Sequence, residues 1–177
     1  DALDPNSGEL LLFAGEPNRV PVPTPVYHDG TLYVSRGFNS SPYLAVRTGG
    51  RGDVNKTHVR WQMGTGAPYV SSLLYHDGLL YMVKSGGIIE AVDAASGEMV
   101  RSDRSKDALG EYYASPVAAA GKVFFTSEEG KVTVLRAGRD WEILAVNSLG
   151  EECYATPAIA DSRIFIRTRT ALYSFGE

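Results

Sequence analysis

The chain has one cysteine, Cys153, in 177 residues. A single thiol excludes an intrachain disulfide framework, a cysteine-rich zinc site and the Cys-x-x-Cys-His attachment of a c-type haem, and it fits an oxidising compartment as well as a reducing one. Long apolar runs are missing too. Stretches such as Leu10 to Ala14 fall far short of the roughly 20 residues that span a bilayer, so no membrane span is expected. The net charge of −4 is spread over interspersed charges of both signs. With no basic stripe to hold a phosphate backbone, nucleic acid is not an expected partner. There is no nucleophile elbow, phosphate loop or paired-carboxylate motif, and Ser7-Gly8 and Gly49-Gly50 read as turns because neither opens a helix. Helical periodicity of useful length is absent. Neither Met nor a signal segment stands before Asp1, which leads us to expect a removed targeting peptide or an excised piece.

What is present is a repeat. Pro25-Val26-Tyr27-His28-Asp29-Gly30-Thr31-Leu32-Tyr33-Val34 reads as a β-hairpin around an Asp-Gly turn, which accepts the positive φ that a two-residue loop demands. It returns as Leu73 to Met82, Pro116 to Phe125 and Pro157 to Ile166, with the turn positions Gly30, Gly78, Gly121 and Ser162 separated by 48, 43 and 41 residues. A period of roughly 40 to 50 residues marks an array of supersecondary units. Each unit adds a third apolar segment: Tyr43 to Val46, Ile88 to Val92, Val132 to Leu135 and Leu172 to Phe175. A tight connection then leads to a fourth strand. In two places that connection reads Asp-x-x-Ser-Gly-Glu, Asp4 to Glu9 and Asp93 to Glu98, where Asp and Ser side chains can bond turn amides and Gly takes the left-handed position.

The second strands decide the architecture. Leu32-Tyr33-Val34, Leu80-Tyr81-Met82, Val123-Phe124-Phe125 and Ile164-Phe165-Ile166 are apolar on both faces. A sheet with one wet face would alternate apolar with polar, whereas four-stranded sheets stacked around an axis bury both sides. The sequence therefore predicts an all-β fold, a β-propeller of four-stranded antiparallel blades with about four blades' worth of chain and 44% hydrophobic residues to fill it. Complete blades are expected over 22–69, 70–112 and 113–153. Residues 154–177 supply the inner three strands of a last blade, and 1–21 carry the outer strand of a split blade that would close the ring and hide its edges.

The hairpin Ser115 to Phe125, the strand Ile89-Glu90-Ala91-Val92-Asp93, the turn Ala94 to Glu98 and an aromatic such as Trp61 in a fourth strand resemble the pyrroloquinoline-quinone-type propeller repeat over nearly the whole chain. The resemblance implies two functional branches. One holds the quinone and calcium on the axis and oxidises alcohols or sugars; the other, which includes a periplasmic scaffold lipoprotein, binds proteins. Family propellers usually have seven or eight blades, so the chain resembles the C-terminal half of a larger one. The enzyme branch commonly sets adjacent cysteines against the cofactor, and this chain has only Cys153. The expectation is a non-catalytic platform that binds a protein or peptide through axial loops, periplasmic or secreted and bacterial, with no catalytic residues, no metal and no cofactor. A fragment of a quinone-dependent dehydrogenase is the alternative. An open ring leaves edges unprotected, so an oligomer, or association with a missing N-terminal half, is also predicted.

Candidate site residues follow from placement in the repeat. Tyr69, Tyr112, Tyr113 and Tyr154 stand just before first strands, near the axis of a propeller. There they either fill the gap between blades or offer amphipathic area to a peptide. Arg51 and Asp53 flank Gly52 in a Gly-rich loop, Thr48 to Val54, the largest insertion in the repeat and hence the part freest to touch a partner. His28 and His76 occupy identical positions beside hairpin turns and read as surface residues, as does His58. Asn39-Ser40-Ser41 and Asn55-Lys56-Thr57 fit the glycosylation pattern. Trp61 and Trp141 are expected to dock between blades, and truncating Trp61 there would cost roughly 3 to 5 kcal/mol.

Overall fold

A computed structural model describes residues 1–15, 21–37, 43–64 and 66–176. The chain opens with a short hairpin, β1 (Ala2–Leu3) and β2 (Leu10–Phe13). The first full sheet is built from β3 (Val26–His28), β4 (Thr31–Ser35) and β5 (Tyr43–Arg47), followed after β6 (Gly52–Asp53) by β7 (Val59–Met63). The second comprises β8 (Leu74–His76), β9 (Leu79–Lys84), β10 (Ile88–Asp93) and β11 (Met99–Arg104). The third comprises β12 (Val117–Ala119), β13 (Lys122–Thr126), β14 (Lys131–Arg136) and β15 (Glu142–Ser148), and the last β16 (Ala158–Ala160), β17 (Arg163–Arg167) and β18 (Leu172–Phe175). All four hairpins turn through two consecutive positive-φ residues, Asp29-Gly30, Asp77-Gly78, Ala120-Gly121 and Asp161-Ser162, the type I′ geometry whose twist matches antiparallel strands.

The sheets stack in chain order. β9 is buried along Leu79 to Val83, with Tyr81 and Val83 packed towards the third sheet and Leu80 and Met82 towards the first. Val132, Cys153 and Ile166 fill the gap between third and last sheets. Trp141, one residue ahead of β15, and Trp61 in β7 both lie between sheets. The innermost strands meet in sequence, β3 with β8, β8 with β12 and β12 with β16. A hydrogen-bond ladder runs along this inner edge. The Thr24 N–H donates to Ser72 Oγ at 2.9 Å, the Ser72 N–H to Ser115 Oγ at 3.0 Å and the Ser115 N–H to Thr156 Oγ1 at 2.9 Å.

The outer strand assigned to a split blade does not lie beside β18. β2 pairs with β1 on one edge and, in parallel, with β6 on the other, Leu12 opposite Gly52 and Phe13 opposite Asp53. Val54 is buried against Leu12 and Ala14, and the Gly15 N–H donates to Asn55 Oδ1 at 2.7 Å. The long loop after β5 thus captures the N-terminal hairpin on the outside of the first sheet, and among the described residues β18 pairs with β17 alone. Asn39-Ser40-Ser41 lies outside the described residues. Asn55 is engaged twice, since its Nδ2 also donates to Asp53 Oδ1 at 2.8 Å.

Candidate functional site

The antiparallel order sends each first strand away from one end of the stack and brings each second and fourth strand back to it. The connections carrying Tyr69, Tyr112, Tyr113 and Tyr154 therefore gather at one end, together with the loops between second and third strands. The structure separates the four tyrosines by role. Tyr112 is a core residue, 3% exposed, with its hydroxyl donating to the Ala108 carbonyl at 2.6 Å; burial pushes its phenol up to about 12. Tyr69 and Tyr154 are exposed and Tyr113 half-buried. The Tyr113 and Tyr154 rings lie 5.6 Å apart with a 41° tilt, within the range of favourable aromatic pairs.

Carboxylates stand among these rings. Tyr154 donates to Glu128 Oε1 at 2.7 Å, and that bond to an anion pushes its phenol up to about 12. Tyr113 is pushed up by partial burial and then by Glu128 and Glu111. The Glu128 N–H donates to the Glu111 carbonyl at 2.8 Å and the Cys153 N–H to the Glu128 carbonyl at 2.8 Å, so the backbones carrying the acids are tied to one another. Ser85 Oγ donates to the Glu111 carboxylate. Arg169 lies 3.7 Å from Glu152. Glu152, Tyr154, Ala155, Arg167, Thr168 and Arg169 line an open cleft of about 480 Å³. One wall is stiffened by Glu151, whose Oε2 accepts from Thr170 Oγ1 at 2.7 Å, Thr170 N–H at 3.0 Å and Thr168 Oγ1 at 3.1 Å; the Thr170 bonds hold its carboxyl below the usual range. Glu111 and Glu128 were missed in the sequence and Glu152 reads there as a solvated surface acid, although Glu111-Tyr112-Tyr113 and Glu152-Cys153-Tyr154 repeat Glu-x-Tyr at a spacing of 41.

Arg51 and Asp53 do not join this cluster. Their loop links a third strand to a fourth and so lies at the opposite end. Asp53 caps the following turn by accepting from the Asn55 N–H at 2.9 Å, and Arg51 lies 3.8 Å from Glu9 across a solvated surface. His28 stacks on Tyr75, ring centroids 3.9 Å apart, and His76 is 3.4 Å from Asp77. The Cys153 thiol is buried and donates to the Arg167 carbonyl at 3.2 Å; burial pushes it up, away from the reactive thiolate. Among the described residues no three His, Cys, Asp or Glu side chains converge on a point.

Comparison with solved structures decides the fold. BamB from Moraxella catarrhalis superposes with a TM-score of 0.64 at 16% identity, covering 83% of this chain and 43% of that one. A europium-containing methanol dehydrogenase gives 0.53 at 18% identity, over 73% of this chain and 24% of its own. The fold is an all-β propeller. The computationally designed Ika4 protein matches with a TM-score of 0.72 at 10% identity, over 96% of this chain and 98% of that one. The chain thus spans less than half of BamB and about a quarter of the dehydrogenase, and nearly all of the designed protein. No family model and no curated protein sequence matches it. No helix among the described residues is long and apolar enough to cross a membrane.

Proposed function

We propose that this chain is a non-catalytic binding platform, exported to the periplasm or beyond, that engages a protein or peptide segment through the end carrying Tyr69, Tyr113 and Tyr154. The observation that carries this reading is the Tyr113–Tyr154 pair with the Tyr154 hydroxyl anchored on Glu128. Rings held in place lose little entropy on binding and offer large contact area. The neighbouring carboxylates of Glu111, Glu128 and Glu152 suit Arg or Lys side chains, which can lie over a phenol ring and reach an acid together.

Fluorescence anisotropy with labelled peptides tests it. Peptides alternating Arg with apolar residues are expected to bind the native chain, to lose binding with Tyr113→Ser/Tyr154→Ser, and to bind more weakly at high salt; acidic peptides of the same length are expected not to bind. Equal binding of both peptide sets, or no loss in the double variant, would refute the reading. Titration with the quinone and calcium, followed by dye-linked alcohol oxidation, addresses the dehydrogenase alternative, and neither a spectral shift nor turnover is expected.

A further inference from the structure

One residue breaks the repeat inside the gap between the first and second sheets. The fourth residues after the turn positions Gly30, Gly78, Gly121 and Ser162 are Val34, Met82, Phe125 and Ile166, and opposite them on the third strands stand Leu44, Glu90, Thr133 and Tyr173. Glu90 is the charged member of that set. It shares a face with Met82, hence points at the first sheet, and is 6% exposed. An apolar pair of similar volume is often no less stable than a buried ion pair, so stability does not account for the departure.

Half of the Glu90 carboxylate is served. Oε1 accepts from Lys84 Nζ at 2.6 Å and from Ser102 Oγ at 3.3 Å, while Oε2 is buried with no hydrogen-bond partner among the described residues. Native structures seldom leave such an oxygen bare. The neighbouring gap shows the difference. There Thr133, at the Glu90 position, shares a 2.9 Å hydrogen bond with Ser105 Oγ, the residue that follows β11; the residue that follows β7 is Gly64, with no side chain to offer. A Cβ at Gly66 would stand 3.5 Å from Lys84 Nζ and 3.7 Å from Glu90 Oε2, and apart from its chain neighbours it would meet no other atom within 4 Å. The side chain that Gly66 lacks thus leaves a small slot with a carboxylate oxygen and an ammonium on its wall. Lys84, whose side chain is 24% exposed, and the exposed Gly64 mark the way out to solvent.

We propose that this slot takes a primary carboxamide, the side chain of an Asn or Gln in the segment bound at the tyrosine end. The amide nitrogen donates to Glu90 Oε2, and the amide oxygen accepts from Lys84 Nζ, which keeps a further N–H on Oε1. Charge decides against the alternatives. Glu90 and Lys84 sum to zero, so an entering cation is repelled by Lys84 as it is drawn by Glu90, an entering anion the reverse, and neither recovers its lost hydration. A neutral group that donates from one atom and accepts at another leaves the ion pair intact and no polar atom bare. Gly66 stands three residues before Tyr69, so the slot adjoins the surface assigned to binding; the proposal rests on that reading for the source of the carboxamide, and not for the slot.

The test titrates three small probes, propionamide, propionate and propylammonium, into the isotope-labelled 177-residue chain, following the Gly66 amide and the Glu90 carboxyl carbon by NMR. Saturable shifts at both are expected with propionamide and with neither charged probe. Lys84→Met/Glu90→Leu is expected to abolish the Gly66 shift while the rest of its spectrum stays that of the folded chain. A peptide alternating Arg with apolar residues is then varied at each position in turn to Gln, Ala, Glu or Lys. One Gln peptide is expected to bind the native chain about tenfold more tightly than its Ala counterpart, since it gains hydrogen bonds to two charged groups, and the Glu and Lys peptides are expected to lack that gain. Equal shifts with all three probes, no saturable shift with propionamide, or a Gly66 response that survives in the double variant would overturn the slot whether or not any peptide binds. A propionamide response without a Gln-dependent gain would overturn the assignment to the bound segment. Failure of every peptide beside an intact propionamide response would overturn the docking reading, and with it the source of the carboxamide, while leaving the slot.

Discussion

Replacing Trp141 with Ala is expected to be the most damaging single truncation in the fold. Its side chain is 1% exposed and packs with Tyr81, Tyr112, Phe125 and Leu135 between the second and third sheets, and the Arg101 guanidinium sits 4.6 Å from the ring centroid. Roughly 200 Å² of apolar surface at ~25 cal/mol per Å² gives about 5 kcal/mol as an upper bound. Core aromatic truncations fall at about 3 to 5 kcal/mol, and the lost cation–π contact adds ~0.5 kcal/mol or more, so about 4 kcal/mol is expected. Trp61, which the repeat singled out first, is only partly buried against Tyr33 and Tyr43; half the area gives about 2.5 kcal/mol, with ~1 kcal/mol more for the Ala94 carbonyl to which its Nε1 donates at 3.0 Å. The two positions should separate further as Phe variants. Trp141 Nε1 is buried with no hydrogen-bond partner among the described residues, so Trp141→Phe removes an unsatisfied donor that costs about 1 to 3 kcal/mol and offsets the lost volume. Trp61→Phe breaks a bond that is made. Urea melts followed by far-UV circular dichroism read all four variants at constant m. If Trp61→Ala costs more than Trp141→Ala, or if Trp141→Phe is as costly as Trp141→Ala, the packing assigned to the middle of the stack is wrong.

Gly130 has φ +69° and a Cβ there would lie 2.0 Å from the Glu151 carbonyl oxygen, whereas Gly121, at φ +67°, has open space. Thermal melts should show Gly121→Ala costing ~1 kcal/mol from backbone strain alone and Gly130→Ala at least twice that. Lys84 Nζ lies 2.6 Å from Glu90 Oε1, and the Glu90 residue is 6% exposed. Lys84→Ala should cost about 3 to 5 kcal/mol by stranding a buried carboxylate, while the double change Lys84→Met/Glu90→Leu should recover most of it in the same melts. Burial pushes Tyr43 and Tyr112 up to about 12, so the folded state retains protons that the unfolded state gives up near pH 10. Their stabilising contribution is complete below pH 10 and falls as pH rises towards 12, to be seen as tyrosinate absorbance rising together with unfolding. Glu128→Gln should return the exposed Tyr154 towards ~10 in that titration, without unfolding.

What could be read from the sequence was whatever a single strand or turn decides locally. Paired positive-φ residues occur at Asp29-Gly30 and again at Ala120-Gly121, because flanking apolar strands of equal length force the same two-residue turn even where the first residue is Ala. Apolar residues on both faces of Leu80-Tyr81-Met82 correspond to complete burial. What could not be read depends on contacts between units. Gly52–Asp53 becomes a strand only because β2 lies alongside it, which turned an apparently free Arg-Gly-Asp loop into an edge pairing. Tyr112 and Tyr113 are neighbours with equal claims in the sequence, and only the approach of the third sheet settles that the first is core and the second half-exposed. Glu111, Glu128 and Glu152 look like solvated acids until the loops of successive sheets bring them among the tyrosines.

The two ends of the stack are finished differently. In an array whose units contact only their neighbours, an end unit without a polar cap exposes what an inner unit would bury. At the first sheet, Leu12 and Ala14 cover Val34 and Val46 and act as a partial cap. At the last sheet nothing among the described residues covers β17 and β18, and only Ile166 and Thr168 along that pair and its loop are buried. The same β-strand chemistry that gives β9 full burial therefore leaves its counterpart β17 half-dressed. Amide exchange should therefore run fastest in β16–β18 and slowest in β9 and β10, and equal protection of β17 and β9 would mean that the burial seen along β9 is not what slows its exchange.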